Sequence, residues 1–174
     1  SKAIKAYKNS DLPKSYWDWE PMLDNNKKGY FPYTPATNLL YGLDEAINML
    51  TEEGLENVFI RHKRFAEATR IAVNSWGLEI LCKNPAEYSD SLTAVIVPEG
   101  HDADLLRKTI LDNYNMSLGT GLAKVAGKVF RIGHLGDFNE LMLAATLSGV
   151  EMGLMKSKIP YQKGGILKAL EYLC

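Results

Sequence analysis

Arg131 is the residue whose type and setting point most directly to chemistry. It stands in Gly127-Lys128-Val129-Phe130-Arg131-Ile132-Gly133-His134-Leu135-Gly136, where β-branched and aromatic residues between glycines read as a short buried strand. A guanidinium is seldom placed on such a strand without an anion to match its fork. A ligand carboxylate would meet that need, and so would a local Asp or Glu in a structural salt bridge; spacing alone leaves both open. His134, three residues further on, either positions a ligand or anchors the turn between Gly133 and Gly136, and the turn is the preferred role. Asp137, with Glu140 three positions later, has the pattern of a capping box and predicts a helix running to about Met155.

A second group is made of hydroxyls. In Gly29-Tyr30-Phe31-Pro32-Tyr33-Thr34-Pro35 the prolines restrict themselves and the residues before them, so Tyr33 and Thr34 are held extended. Such a loop can offer fixed hydrogen bonds. Gly119-Thr120-Gly121 superficially suggests a phosphate loop but lacks a full P-loop or dinucleotide fingerprint, and reads as a place where the backbone turns beside Arg131. His62, His101 and His134 share no metal-ligand spacing, and His62 lies on an apolar helical stripe, as a packed core histidine does. A Gly-x-Ser-x-Gly nucleophile elbow is missing. The inventory is an arginine for a carboxylate and hydroxyls for hydrogen bonds, without a nucleophile or an oriented base. It looks like part of an active site.

The elements that must carry these residues are legible from periodicity. A short helix is expected over Ser1–Lys8, then an irregular aromatic stretch through Tyr16-Trp17-Asp18-Trp19 and Asp24-Asn25-Asn26. Stretches of that kind tend to be functional or partner-facing. Helices follow with Leu39, Leu43, Ile47 and Leu50 on one face, and with Leu55, Val58, Phe65, Ala72 and Trp76 on the next. Gly77 occupies the position of a helix-terminating glycine. Leu78–Leu81 and Thr93–Val97 read as strands, Asp102 as the cap of a helix through Leu111, and a last helix reaches Leu170. Helices grouped around a small sheet make the fold class α+β.

Composition sets the outer limits. At 174 residues the chain can bury roughly 70% of its unfolded surface, enough for one core and a smaller appendage. A net charge of −1 without a long basic run argues against nucleic acid or an anionic membrane as the main partner. Cys82 and Cys174 form no framework or CxxC pair, which fits a reducing compartment. No apolar run approaches the ~20 residues of a membrane span. The cytoplasm is the expected location.

The Tyr/Thr loop and the stretch from Ser117 to Gly136 resemble serine–glyoxylate aminotransferase, of the alanine–glyoxylate group of class V, fold-type I, pyridoxal-phosphate aminotransferases. The resemblance covers nearly the whole chain. It implies the C-terminal small domain of a fold-type I transferase, with a small, mostly antiparallel sheet covered by helices. Residues 1–50 would be the end of the large cofactor-binding domain, and 51–174 the small domain. Arg131 matches the arginine that grips the amino-acid carboxylate. Thr34 matches a residue that helps hold the phosphate of pyridoxal 5'-phosphate in the neighbouring subunit of a homodimer, with Tyr30 or Tyr33 contributing.

The resemblance also implies that the Schiff-base lysine and the groups around the cofactor ring lie upstream of the segment with which this chain opens. No lysine here matches that position, so catalytic and metal residues are assigned to none of these positions. The expected activity of the whole protein is transfer of an amino group from serine or alanine to glyoxylate, and this chain alone is expected to be inactive. The alternative is a non-catalytic carboxylate-binding or dimerisation module.

Overall fold

The computed structural model describes every residue, Ser1–Cys174, and divides into two units, Ser1–Glu52 and Glu53–Cys174. The first unit is helical: α1 (Lys2–Tyr7), α2 (Trp19–Asn26) and most of α3 (Thr37–Glu53), and none of these helices buries a residue. The aromatic stretch expected to be irregular contains α2. Asp18 caps it by accepting from the Glu20 N–H at 3.0 Å, and Pro21 falls in the first turn, where a missing N–H costs nothing. Tyr7 stacks on Trp19 at 5.7 Å between centroids, and its hydroxyl donates to the Asp18 carboxylate. Leu39, Leu43, Ile47 and Leu50, the apolar stripe of α3, are all exposed.

The second unit is built on α4 (Leu55–Ser75). Its end is a Schellman motif: Gly77, at φ 74°, donates to Asn74 and Leu78 donates to Val73, as a C′ glycine allows. Four strands follow, β1 (Glu79–Ile80), β2 (Leu92–Ile96), β3 (Gly119–Thr120) and β4 (Val129–Gly133), in the order β1-β2-β4-β3. Every pairing is antiparallel. Phe130, Ile132, Val95 and Ile80 point to one face and join a core with Phe65, Val73, Trp76, Leu106, Ile110, Leu143, Leu147 and Leu154. The helices that supply it are α4, α5 (Ala103–Tyr114), α6 (Glu140–Lys156) and α7 (Gly165–Leu173). The small antiparallel sheet and its helical cover form an α+β fold.

Two local expectations shift. Helix α6 begins later than the Asp137 capping box predicts, because Asn139 is the cap and accepts from the Met142 N–H at 2.9 Å. Gly119 and Gly121 do not sit at a left-handed turn, since neither has a positive φ. Both serve close approach. A side chain on Gly121 would meet the carbonyl oxygen of Val125 at 2.2 Å.

Two contacts fix the helical layer. Gly153 lets α6 cross α5, where an added Cβ would lie 2.3 Å from Ile110. Glu151 accepts from Trp76 Nε1 at 2.8 Å and from the backbone N–H groups of Gly164 at 2.7 Å and Ile166 at 3.1 Å. Burial pushes its carboxyl upward, but these three donors outweigh burial and hold it below the usual range.

Candidate active-site portion

Arg131 occupies the middle of β4, which is hydrogen-bonded on both sides. Its cross-strand partners are Ala94 on β2 and Gly119 on β3, so it stands between two of the smallest side chains available. Alternation sends Phe130 and Ile132 into the helical core and Arg131 to the opposite face, beside Leu92, Ala94 and Ile96. Arg61, Arg64, Arg70 and Arg107 each hold a carboxylate, whereas Arg131 forms no ion pair. No Asp or Glu of the chain fills the structural role that spacing left open. Its Nε is buried and has no hydrogen-bond partner.

The surroundings of Arg131 are pinned from both flanks. On the β3 side, Arg107 Nε donates to the Leu118 carbonyl at 2.8 Å and Thr120 Oγ1 donates to Asp104 at 2.9 Å. The Asp104 carboxyl is held low by that Thr120 hydroxyl first, then by Arg107. Beyond β4, the turn is clamped by α4. Gly136, at φ 87°, donates its N–H to His62 Nε2 at 3.1 Å and accepts from Arg61 Nη1 at 2.7 Å. Arg61 is in turn steadied by two 2.6 Å hydrogen bonds to Glu53. His62 Nδ1 lies 2.8 Å from the Val58 carbonyl, so the pattern assigns a neutral imidazole with its proton on Nδ1.

His134 is an anchor. It is fully buried and shares a 2.9 Å hydrogen bond with Thr93 on β2. Burial pushes its pKa down to about 4, because desolvation disfavours the charged ring. His62 is tied to the Gly136 turn and is no metal ligand in this arrangement. The Arg61–His62 clamp escaped sequence reading, since nothing local announces a contact across 75 positions.

The hydroxyl loop belongs to the first unit. Tyr30 and Tyr33 are 69% and 47% exposed, and Thr34 is exposed as well. The ring of Tyr33 rests on Tyr16 at 4.9 Å. No hydrogen bond within this unit uses the three hydroxyls.

No family model matches the chain. It is 49% identical, over 99% of its length, to a serine–glyoxylate aminotransferase from Methylorubrum extorquens, of which it covers 44%. The chain is homologous to the C-terminal part of the serine–glyoxylate aminotransferases. An L-aspartate–glyoxylate aminotransferase from Paracoccus denitrificans is 42% identical over 98% of the chain and 43% of its own length. Among solved structures, ureidoglycine–glyoxylate aminotransferase from Bacillus subtilis superposes with a TM-score of 0.86 at 25% identity, matching 99% of this chain and 45% of that one. The chain therefore spans less than half the length of the relatives it matches. No helix is long and apolar enough to cross a membrane.

Proposed function

We propose that this chain is the C-terminal, substrate-gripping portion of a pyridoxal-phosphate-dependent aminotransferase that moves an amino group from serine or alanine to glyoxylate. The observation that carries the reading is Arg131: a charged fork on the sheet face opposite the helical core, with no anion of its own. An amino acid and an oxo acid share one feature, a carboxylate, and a bidentate arginine is the group that matches it. The relatives are named as aminotransferases, which favours the enzyme over a free-standing binding module.

The residues present fit the cofactor in a limited way. Tyr30, Tyr33 and Thr34 form a set of unengaged hydroxyl donors on a proline-stiffened loop, suited to a phosphate's acceptor oxygens. They would hold the phosphate of the neighbouring subunit in a homodimer, with residues 1–50 completing the large domain. Pyridoxal phosphate, when bound, supplies the electron sink for moving the amino group. Its lysine and its ring contacts lie outside these residues, so the chain alone is inactive. Arg131 holds the substrate by its carboxylate and turns the reacting carbon toward the cofactor, an orienting contribution to rate. Reduced Cys82 and Cys174, both free, suit a cytoplasmic enzyme.

Arg131→Lys, made in the complete reading frame, tests this. Lysine keeps the charge but loses the fork, and breaking a desolvated charged contact costs roughly 2–5 kcal/mol. The expected result is a fall in kcat/KM for donor and glyoxylate of about 30-fold or more, with little change in melting temperature. Unchanged kcat/KM, or a large stability loss with kinetics intact, refutes the reading.

A further inference from the structure

Gly119 has no backbone reason to be glycine. Its φ is not positive, so any residue could adopt its conformation. What crowds a side chain there is Arg131: a Cβ on Gly119 would lie 3.0 Å from both Cβ and Nε of Arg131, and 3.4 Å from Cζ. Cross-strand Cβ atoms ordinarily stand about 4.5–5.5 Å apart. The strands therefore close in here, and the guanidinium lies against the bare backbone of β3. That platform cannot retreat, because Leu118 and Thr120 on either side are tied to Arg107 and Asp104. The Nε edge of Arg131 is buried and unpartnered, which closes it to any ligand.

We propose that Gly119 is a positioning residue for Arg131, holding its guanidinium flat on β3 so that a substrate carboxylate is taken end-on by the two terminal nitrogens. The proposal rests on the reading of Arg131 as the carboxylate grip and adds how the grip is aimed. The three atoms nearest a methyl at Gly119 all belong to Arg131, so the methyl misdirects the fork without removing its charge.

The test uses the protein expressed in its complete reading frame, loaded with cofactor, with glycolate as probe; glycolate carries the carboxylate and no reactive carbonyl. Dissociation constants are measured by calorimetry for the unaltered protein, Gly119→Ala, Arg131→Lys and the double variant. Gly119→Ala is expected to weaken glycolate about tenfold, and to add nothing once Arg131→Lys has removed the planar fork. Equal weakening in both backgrounds, or none in either, overturns the proposal. If Arg131→Lys itself binds glycolate undiminished, the carboxylate reading fails first. A second measurement needs no variant and decides even if Gly119→Ala fails to fold. In arginine-labelled protein, saturating glycolate should shift the terminal NH2 signals of Arg131 and leave its Nε–H unmoved. A hydrogen-bonded shift at Nε–H would show a side-on grip and end the proposal.

Discussion

Replacing Glu151 by alanine should cost the second unit about 3 kcal/mol, a sum that can be followed contact by contact. Trp76 is fully buried, and its indole N–H has Glu151 as acceptor; orphaning it costs roughly 1–3 kcal/mol. The carboxylate also accepts from the N–H groups of Gly164, just before α7, and of Ile166 in its first turn, a capping role worth roughly 0.5–2 kcal/mol. Loss of a negative charge at a helix N-terminus adds roughly 0.3–1 kcal/mol. For a unit of this size, 3 kcal/mol lowers the melting temperature by about 10 °C. Glu151→Gln, which keeps the shape and one oxygen, should fall between. The pH dependence supplies a second check. Because the carboxyl is held low in the folded state, its stabilisation is full above the unfolded value of about 4.3 and fades as pH falls through the folded one. The gap between the native protein and Glu151→Gln should therefore narrow in acid. Thermal and urea melts from pH 7 down to 3 measure both effects. A shift below 3 °C at pH 7, or a gap that widens in acid, would falsify the network as drawn.

His134 gives a pH signature of its own: with its folded pKa near 4 against about 6.5 unfolded, the unfolded chain binds the extra proton between those values. Stability should decline by about 3 kcal/mol as pH falls across that window, and His134→Gln should flatten the slope; an unaltered slope counts against a buried neutral ring. Gly165→Ala should be costlier than most glycine replacements, since the new Cβ would sit 2.3 Å from Trp76 Nε1 and 2.7 Å from the Ala72 carbonyl. Overpacking of this kind costs roughly 1–3 kcal/mol, and a melting temperature within 1 °C of the native value would refute it.

Much of this architecture is written in local patterns. The stripe from Leu55 to Trp76, the terminating Gly77 and the Asp102 cap mark α4 and α5 because periodicity and capping act within a few residues. Arg131 stood out because a charge among Val129, Phe130 and Ile132 breaks the strand's own pattern. Helix α2 was hidden by Trp17, Trp19 and Pro21, which are poor helix signals unless Asp18 is recognised as the cap. The start of α6 is ambiguous in the sequence because Asp137 and Asn139 are both competent caps, and what holds the turn, the hydrogen bonds of Gly136 to Arg61 and His62, lies across space. The clamp by Arg61 and His62 and the platform at Gly119 depend on what lies across space, and no spacing along the chain encodes that. Tyr30, Tyr33 and Thr34 could be singled out only by resemblance, since hydroxyls on an exposed loop look alike whether or not they serve a ligand.

The alternation along β4 has a consequence for how this chain can change over time. Phe130 and Ile132 feed the core while Arg131 looks the other way, so identity and length are constrained separately. Inserting one residue between Val129 and Phe130 would exchange the faces of the rest of the strand, driving the guanidinium toward the helices and Phe130 and Ile132 out of the core. The same edit among Ala123 to Ala126, before the strand is committed, meets no such parity. Descendants of this sequence can thus substitute within the strand, but cannot change its length without exchanging its faces.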